Sequence, residues 1–363
     1  TLIMGADAAW GESRGPAKPN SLPARSKVDD TAIEDIAGVF SAGGKTAILL
    51  EHHALTPAAL EAASRIASKT GCRLLTGTFP ARIDGGPGRV AVERLPYFPE
   101  QILASLEGTD NLVLANGQIP ASFFAYQGIP SQLIPDGCTV HRLSRVEEDA
   151  VDAMERLAER LGAAGAAISC FEHQDIPKPS GELSNKSIIQ GFAATMPEEL
   201  IVCTDSGGGN AAYPFCQNSV PHSWLSLTGG AIGQGGPAAT GAALACPDRP
   251  VVALLGDGGA AYTIQCLWTQ ARENLNVTSV IFANNSYNIL NVEYTKLGVE
   301  NMGDIAASLF DISNPTIGWV DMARSMGVPG AVAETSEQLC KLLEQSYNTP
   351  GPFLIQANGE LQR

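Results

Sequence analysis

Uninterrupted apolar runs alternate with helix-spaced apolar stripes along most of the chain. Val251–Leu255 and Val277–Ala283 are continuous apolar runs, the pattern of parallel strands buried on both faces. Between them Gly256-Asp257-Gly258-Gly259 breaks the chain, and Tyr262–Glu273 sets Ile264, Leu267, Trp268 and Ala271 on one helical face. Upstream, the same alternation predicts helix Asp30–Phe40, strand Thr46–Leu50 and helix Thr56–Lys69, with Thr56 as N-cap and Pro57 in the first position. It continues with strand Arg73–Thr76, helix Pro99–Ser105, strands Asn111–Ala115, Gln132–Pro135 and Thr139–Leu143, and helix Glu147–Leu161. The second half predicts helix Ser187–Thr195, strand Leu200–Thr204 and helix Ala238–Ala245, with Pro237 in a first helical position. Helices Ile317–Met326 and Ser336–Tyr347 and strand Phe353–Gln356 close the chain. Segments rich in Gly, Pro, Ser and charge near 11–30 and 161–184 read as linkers.

Alternating strands and helices specify an α/β fold of doubly wound parallel sheets. Two such domains are expected, at 27–163 and 186–363, joined by a linker at 164–185. The apolar run Thr1–Met4 reads as a strand, and 1–26 as the end of a preceding domain and its linker.

The 363 residues are 44% hydrophobic, enough for a sizeable core, and contain no apolar run of 18 residues that could span a membrane. Thr1–Trp10 lacks a basic start and carries Asp7, so no signal peptide is read there. A net charge of −15 argues against nucleic acid or an anionic membrane as partner. Eight scattered cysteines form no CxxC, which points to reduced thiols in the cytoplasm rather than zinc or a redox pair. His52 and His53 read as a solvated turn, His141 as a strand residue, and His173 and His222 as isolated loop residues.

The candidate chemistry lies around Val251–Tyr287. A right-handed crossover makes its two strands parallel, so both end on one sheet edge, where open α/β sheets hold ligands. Asp257 stands just past the first strand and Asn284 just past the second. Two hard oxygen ligands with a single carboxylate suit magnesium, whose remaining positions go to phosphate and water. Gly258 and Gly259 let a phosphate approach backbone N–H groups at a helix start. A competing explanation is a dinucleotide fingerprint, Gly233-x-Gly235-x-x-Ala238, with Asp257 closing the next strand; it leaves Asn284 and the glycines flanking Asp257 unexplained.

Gly256-Asp257-Gly258, 25 further residues and then Asn284 resemble the GDG…N signature of thiamine diphosphate-dependent enzymes. TIQCLWTQAREN, NNSYNILNVEY and the FFAYQG segment (Phe123–Gly128) are similar to its acetolactate synthase-like, benzoylformate decarboxylase-related branch. The resemblance implies magnesium held by Asp257, Asn284 and the Ser286 carbonyl, and the cofactor gripped around Gly256, Gly258, Gly259 and Tyr287. It implies that Ile232 wedges the cofactor into a bent shape, that the Gly230 carbonyl accepts from the pyrimidine amine, and that Ile289 shapes the substrate pocket. Gly208 and Gly209 stand where family members place diphosphate-binding hydroxyl residues, and can offer backbone N–H groups only. Glu293, one helical turn after Ile289, is a candidate for proton transfer, against the plain reading of a solvated helix carboxylate. The region 298–315 reads as a mobile lid.

The implied activity is decarboxylation or carboligation of a 2-keto acid by a homodimer or homotetramer. Other members carry an N-terminal pyrimidine-binding domain with an activating glutamate, and Gly5-Ala6-Asp7 resembles the end of its last strand; no residue here is assigned that glutamate's role. FAD is not expected, because Glu51-His52-His53-Ala54 follows the first strand in place of a glycine-rich turn. A cofactor-binding but non-catalytic chain is the alternative within the family, and a nicotinamide enzyme the alternative outside it.

Overall fold

The computed structural model describes residues 2–299 and 301–359. In chain order its first half contains α1 (Ala6–Trp10), α2 (Asp30–Ala42), β1 (Thr46–Leu50), α3 (Pro57–Thr70), β2 (Arg73–Thr76), β3 (Ile83–Gly85), β4 (Glu93–Arg94), α4 (Pro99–Leu106), β5 (Asn111–Ala115), β6 (Thr139–Ser144) and α5 (Ala150–Arg160). The second half contains α6 (Asn185–Thr195), β7 (Leu200–Thr204), α7 (Gly207–Cys216), β8 (His222–Leu225), α8 (Gly235–Ala245), β9 (Val251–Gly256), α9 (Asp257–Thr263), α10 (Cys266–Arg272), β10 (Val277–Phe282), α11 (Asn288–Lys296), α12 (Asp304–Ser308), α13 (Trp319–Ser325), β11 (Gly330–Ala333), α14 (Ser336–Tyr347) and β12 (Phe353–Ala357). None of these helices is long and apolar enough to cross a membrane.

Two sheets result. The first runs β4-β2-β1-β5-β6 and is parallel throughout. The second runs β11-β12-β10-β9-β7-β8-β3; it is parallel except at β3, which pairs antiparallel with β8. The central strands β1, β7, β9 and β10 are buried along nearly their whole length, as apolar runs covered by helices on both faces must be. β3 comes from the first half yet completes the second sheet, Ile83 facing Trp224 across the ladder. The expected division into 27–163 and 186–363 is crossed here by the sheet itself, and one buried hydrophobic cluster draws on both halves.

Other expectations need correction. Leu2–Met4 form no strand and are exposed; a short helix follows them. Gln132–Pro135 is irregular, with a single bridge from Gln132 to Ala121. Tyr262–Glu273 is two helices, α9 starting at Asp257 and α10 at Cys266. α5 starts at Ala150 rather than Glu147, because Asp149 caps it by accepting from the N–H groups of Val151 and Asp152. α8 starts at Gly235, which makes Pro237 its third residue. His222 lies buried in β8 and is not a loop residue.

The stretch after Asp205, for which the sequence pattern predicts no element, is a helix, α7. Gly209, Ala212, Tyr213 and Cys216 are buried at the spacing of one helical face. Pro214 inside it cannot donate to the Asn210 carbonyl. That carbonyl instead accepts from Arg94 Nη2, at 2.5 Å, reaching over from β4 of the other sheet. Arg94 also lies over the Tyr213 ring, 4.7 Å from its centroid.

Candidate functional site

β7 and β9 are neighbours in the second sheet, and the chain leaves them in opposite directions, β7 toward β8 and β9 toward β10. Strand order reverses there, and the crevice at the carboxyl ends is the place where such sheets bind ligands. Two helix starts meet at it. α7 begins with Gly207-Gly208-Gly209, with Ser206 as N-cap accepting from the Gly209 N–H at 3.2 Å. α9 begins with Asp257-Gly258-Gly259, with Gly256 in the N-cap position. A β-carbon at Gly256 would lie 3.1 Å from Ser206 Cβ, so the two loops touch.

Asp257 is 2% exposed. Its Oδ1 accepts from the Gly258 N–H at 2.8 Å and its Oδ2 from the Asn285 N–H at 2.5 Å. Burial raises the carboxyl above the ordinary aspartate range, while the N–H groups of Gly258, Asn285 and Asn284 pull it back. Asn285 reaches its position through a left-handed φ of 54°. Asn284 Oδ1 accepts from the Ser286 N–H at 3.0 Å, folding 284–286 into a tight turn against Asp257. The structure thus brings Asp257, Asn284 and Ser286 together. Beside them a cleft of about 320 Å³ opens between Ser286, Asn291, Phe310 and Asp311. No cluster of three His, Cys, Asp or Glu side chains exists among the described residues. A cation here would rely on one carboxylate plus amide and carbonyl oxygens, a hard donor set that leaves positions for phosphate and water.

The glycines of the crevice also receive neighbouring side chains. A β-carbon at Gly258 would lie 2.5 Å from Tyr287 Cδ1, so the tyrosine ring rests on this glycine. One at Gly259 would lie 3.4 Å from Ile232 Cγ2 and 3.1 Å from Asp205 Oδ1. Gly208 packs on the Phe282 ring, and Gly209 approaches the Leu254 carbonyl too closely for any side chain. Ile232 is 50% exposed at the tip of the turn that precedes α8, standing above the start of α9. Gly230 in that turn has φ 69°, and its carbonyl accepts from the Ile232 N–H at 3.0 Å. Ile289, on the first turn of α11, is 43% exposed.

Glu293 is not a solvated helix carboxylate. Its Oε2 accepts from the Tyr126 hydroxyl at 2.7 Å, and its Oε1 is buried without a partner. Burial, then this bond, pushes the Tyr126 phenol above its ordinary range. Tyr126 belongs to the FFAYQG segment, beside the packed rings of Phe79, Tyr97 and Phe123.

The dinucleotide alternative fails on topology. The glycine turn follows β8, which is separated from β9 by β7, whereas a dinucleotide fingerprint needs turn and acid on adjacent strands.

Comparison with known proteins agrees with this geometry. Residues 207–357 match the model of the thiamine pyrophosphate enzyme, C-terminal TPP binding domain. A Mycobacterium tuberculosis protein named "Putative acetolactate synthase large subunit IlvX" is 42% identical over 357 residues, covering 98% of this chain and 68% of that protein. Benzoylformate decarboxylase from Pseudomonas aeruginosa is 25% identical over 314 residues, covering 81% of this chain and 54% of that enzyme. Among solved structures, the thiamine diphosphate-dependent 4-hydroxybenzoylformate decarboxylase of Rhodococcus jostii shares the fold. Its TM-score is 0.76 at 21% identity, over 94% of this chain and 66% of that one. The chain thus spans about two thirds or less of the length of these relatives. A thiamine pyrophosphate-binding domain, set beneath a glycine turn at the strand-order reversal, places the chain in the thiamine pyrophosphate enzyme family, with relatives named acetolactate synthase and benzoylformate decarboxylase.

Proposed function

We propose that this chain binds thiamine diphosphate with magnesium and acts in the decarboxylation or carboligation of a 2-keto acid, in the manner of acetolactate synthase. The observation that carries the reading is the meeting of Asp257, Asn284 and Ser286 with the starts of α7 and α9 at one crevice. The residues fit the group. Asp257, the Asn284 amide oxygen and the Ser286 carbonyl would hold the metal, and the free N–H groups of the two helix starts would face the diphosphate. Bound thiamine diphosphate supplies the electron sink for cleaving the bond between the carboxylate and the carbonyl carbon of the substrate.

The chain's own residues bind, bend and exclude water. Ile232 stands over the α9 start, where it would wedge the bound cofactor into its bent shape. Tyr287 packs on Gly258 next to it, and the half-exposed Ile289 would offer an apolar wall. Glu293 is held by Tyr126, which makes it a fixed acceptor facing the aromatic segment and not a freely moving carboxylate. The same observation favours a second reading, a chain that binds the cofactor without turning over unaided, because the Tyr126 hydroxyl already engages Glu293.

A cytoplasmic homodimer or homotetramer completes the proposal. Eight cysteines without a disulfide support the compartment, and the exposed Leu244, Tyr262 and Trp268 on neighbouring helices support self-association. Titration with thiamine diphosphate, with and without magnesium, tests the reading. The parent chain is expected to bind only with magnesium, and Asp257→Ala to lose at least about tenfold in affinity. Unchanged binding by Asp257→Ala would sink the metal assignment. Release of carbon dioxide from pyruvate or benzoylformate separates the catalytic from the non-catalytic reading.

A further inference from the structure

Asp205 follows β7 directly and is 3% exposed beneath the glycine turn. α8 begins at Gly235, and its N-cap residue Gln234 supplies no capping bond. The Gln234 amide oxygen instead accepts from Thr228, at 2.7 Å from its hydroxyl. The Gly235 N–H donates to Asp205 Oδ2 at 2.9 Å. The start of α8 is therefore capped from a strand end 30 residues earlier. Glycines crowd this carboxylate: a β-carbon at Gly235 would lie 3.2 Å from Asp205 Cγ, and one at Gly259 3.1 Å from Oδ1. That Oδ1 is buried with no hydrogen-bond partner among the described residues.

A second tie holds the same turn. Thr263 Oγ1, at the end of α9, donates to the Gly233 carbonyl at 2.5 Å. The root of the turn is thus fastened to β7 and to α9, whose neighbouring ends build the crevice. Its tip, Gly229–Ile232, is exposed.

We propose that Asp205 is a positioning residue for Ile232: by holding Gly235 against the end of β7, it sets the height of the turn over the crevice and so the affinity for thiamine diphosphate. It does this without touching the cofactor. The inference rests on the reading of the site as a thiamine diphosphate site. A carboxylate bound to an N–H at the turn's root acts on the tip through the turn's own bonds, the Gln234 N–H donating to the Ala231 carbonyl at 3.1 Å and the Ile232 N–H to the Gly230 carbonyl at 3.0 Å. Without the bond, the Gly235 N–H is left buried and unpaired, which favours a displaced turn.

The test compares the parent chain with Asp205→Ala, Asp205→Asn and Thr335→Ala. Thr335 caps α14, its hydroxyl accepting from the Gln338 N–H, and its loss serves as a control for stability lost away from the crevice. Two quantities are read: affinity for thiamine diphosphate with magnesium, by fluorescence titration, and amide exchange of 229–236 in the ligand-free protein. Asp205→Ala is expected to bind at least about tenfold more weakly and to exchange faster at Gly235. Asp205→Asn is expected to keep both within about threefold, since its amide oxygen can accept the same N–H. Thr335→Ala is expected to melt lower with affinity and exchange unchanged. If Asp205→Ala does not fold, the near-isosteric Asp205→Leu takes its place. Parent-like affinity and exchange in the Asp205 variant overturn the proposal, as does an equal loss of affinity in Thr335→Ala. If the parent chain does not bind thiamine diphosphate, the site reading fails instead, and exchange at Gly235 still reports whether Asp205 holds the turn.

Discussion

Gly258 shows how tightly single atoms are accounted for in the crevice. Its missing side chain is where the Tyr287 ring rests, and a β-carbon there would sit 2.5 Å from the ring. Gly258→Ala is therefore expected to lower stability by about 1–3 kcal/mol, the ordinary cost of overpacking. Thermal melting of the ligand-free protein measures it, and adding Tyr287→Ala should recover part of the loss. A full loss in the double variant would show that the backbone, and not the ring, is the obstacle. The placement of Asp257 and Asn284 was legible in the sequence because each stands just past a continuous apolar run. Asp205 had the same position after β7, but its partner, the N–H of Gly235, is fixed only by the fold. The contact of Tyr126 with Glu293 was hidden for the same reason, with 167 residues between them.

At the scale of elements, the long central strands and the helices with clear apolar stripes were legible, as in α14, whose bounds are those its pattern predicts. β1, β2, β5 and β7 have the bounds their sequence pattern predicts, since burial on both faces makes their interiors continuously apolar. α7 has helical spacing of its buried residues, but three glycines and Pro214 lower its propensity and conceal it. β3 and β4 are three and two residues long, too short for any periodicity to declare them. In β8, the His222 ring donates from Nδ1 to the Val220 carbonyl, and its Nε2 is buried without a partner. A proton on Nε2 would be an unpaired buried donor, and burial accordingly depresses the pKa of this histidine below the ordinary value. The native state thus disfavours the charged form, so the stability His222 contributes is present above the unfolded-state pKa of about 6.5. It is lost as the pH falls through that value toward the folded one. The melting temperature is expected to drop between about pH 7.5 and about pH 5.5, and His222→Gln to flatten the slope. An unaltered slope in that variant would assign the effect elsewhere.

For the whole molecule, the two sheets are fastened by side chains as well as by chain connection. Arg94 takes the carbonyl that Pro214 frees in α7, Lys296 of α11 pairs with Glu100 of α4, and Tyr126 holds Glu293. These ties reach α7 and α11, the elements that start at the crevice, so the first half of the chain is joined directly to the elements that build it. Tyr126→Phe leaves both oxygens of Glu293 without that donor and is expected to cost about 1–3 kcal/mol in denaturant unfolding. Tyr126→Phe with Glu293→Leu should regain part of it, because no buried carboxylate then lacks a partner. Additive losses would mean that the two side chains do not depend on each other.

The antiparallel strand β3 has a consequence for solubility. Ile83, Asp84 and Gly85 cover the outer edge of β8. Without them, the N–H and C=O groups along that edge would be open to pairing with any passing extended chain. A version cut down to residues 186–363 would carry this bare edge, with Trp224 beside it, and would tend to clump before its ability to bind anything could be measured. Three residues borrowed from the far side of the protein act as a guard rail, keeping one copy's sheet from growing into the next.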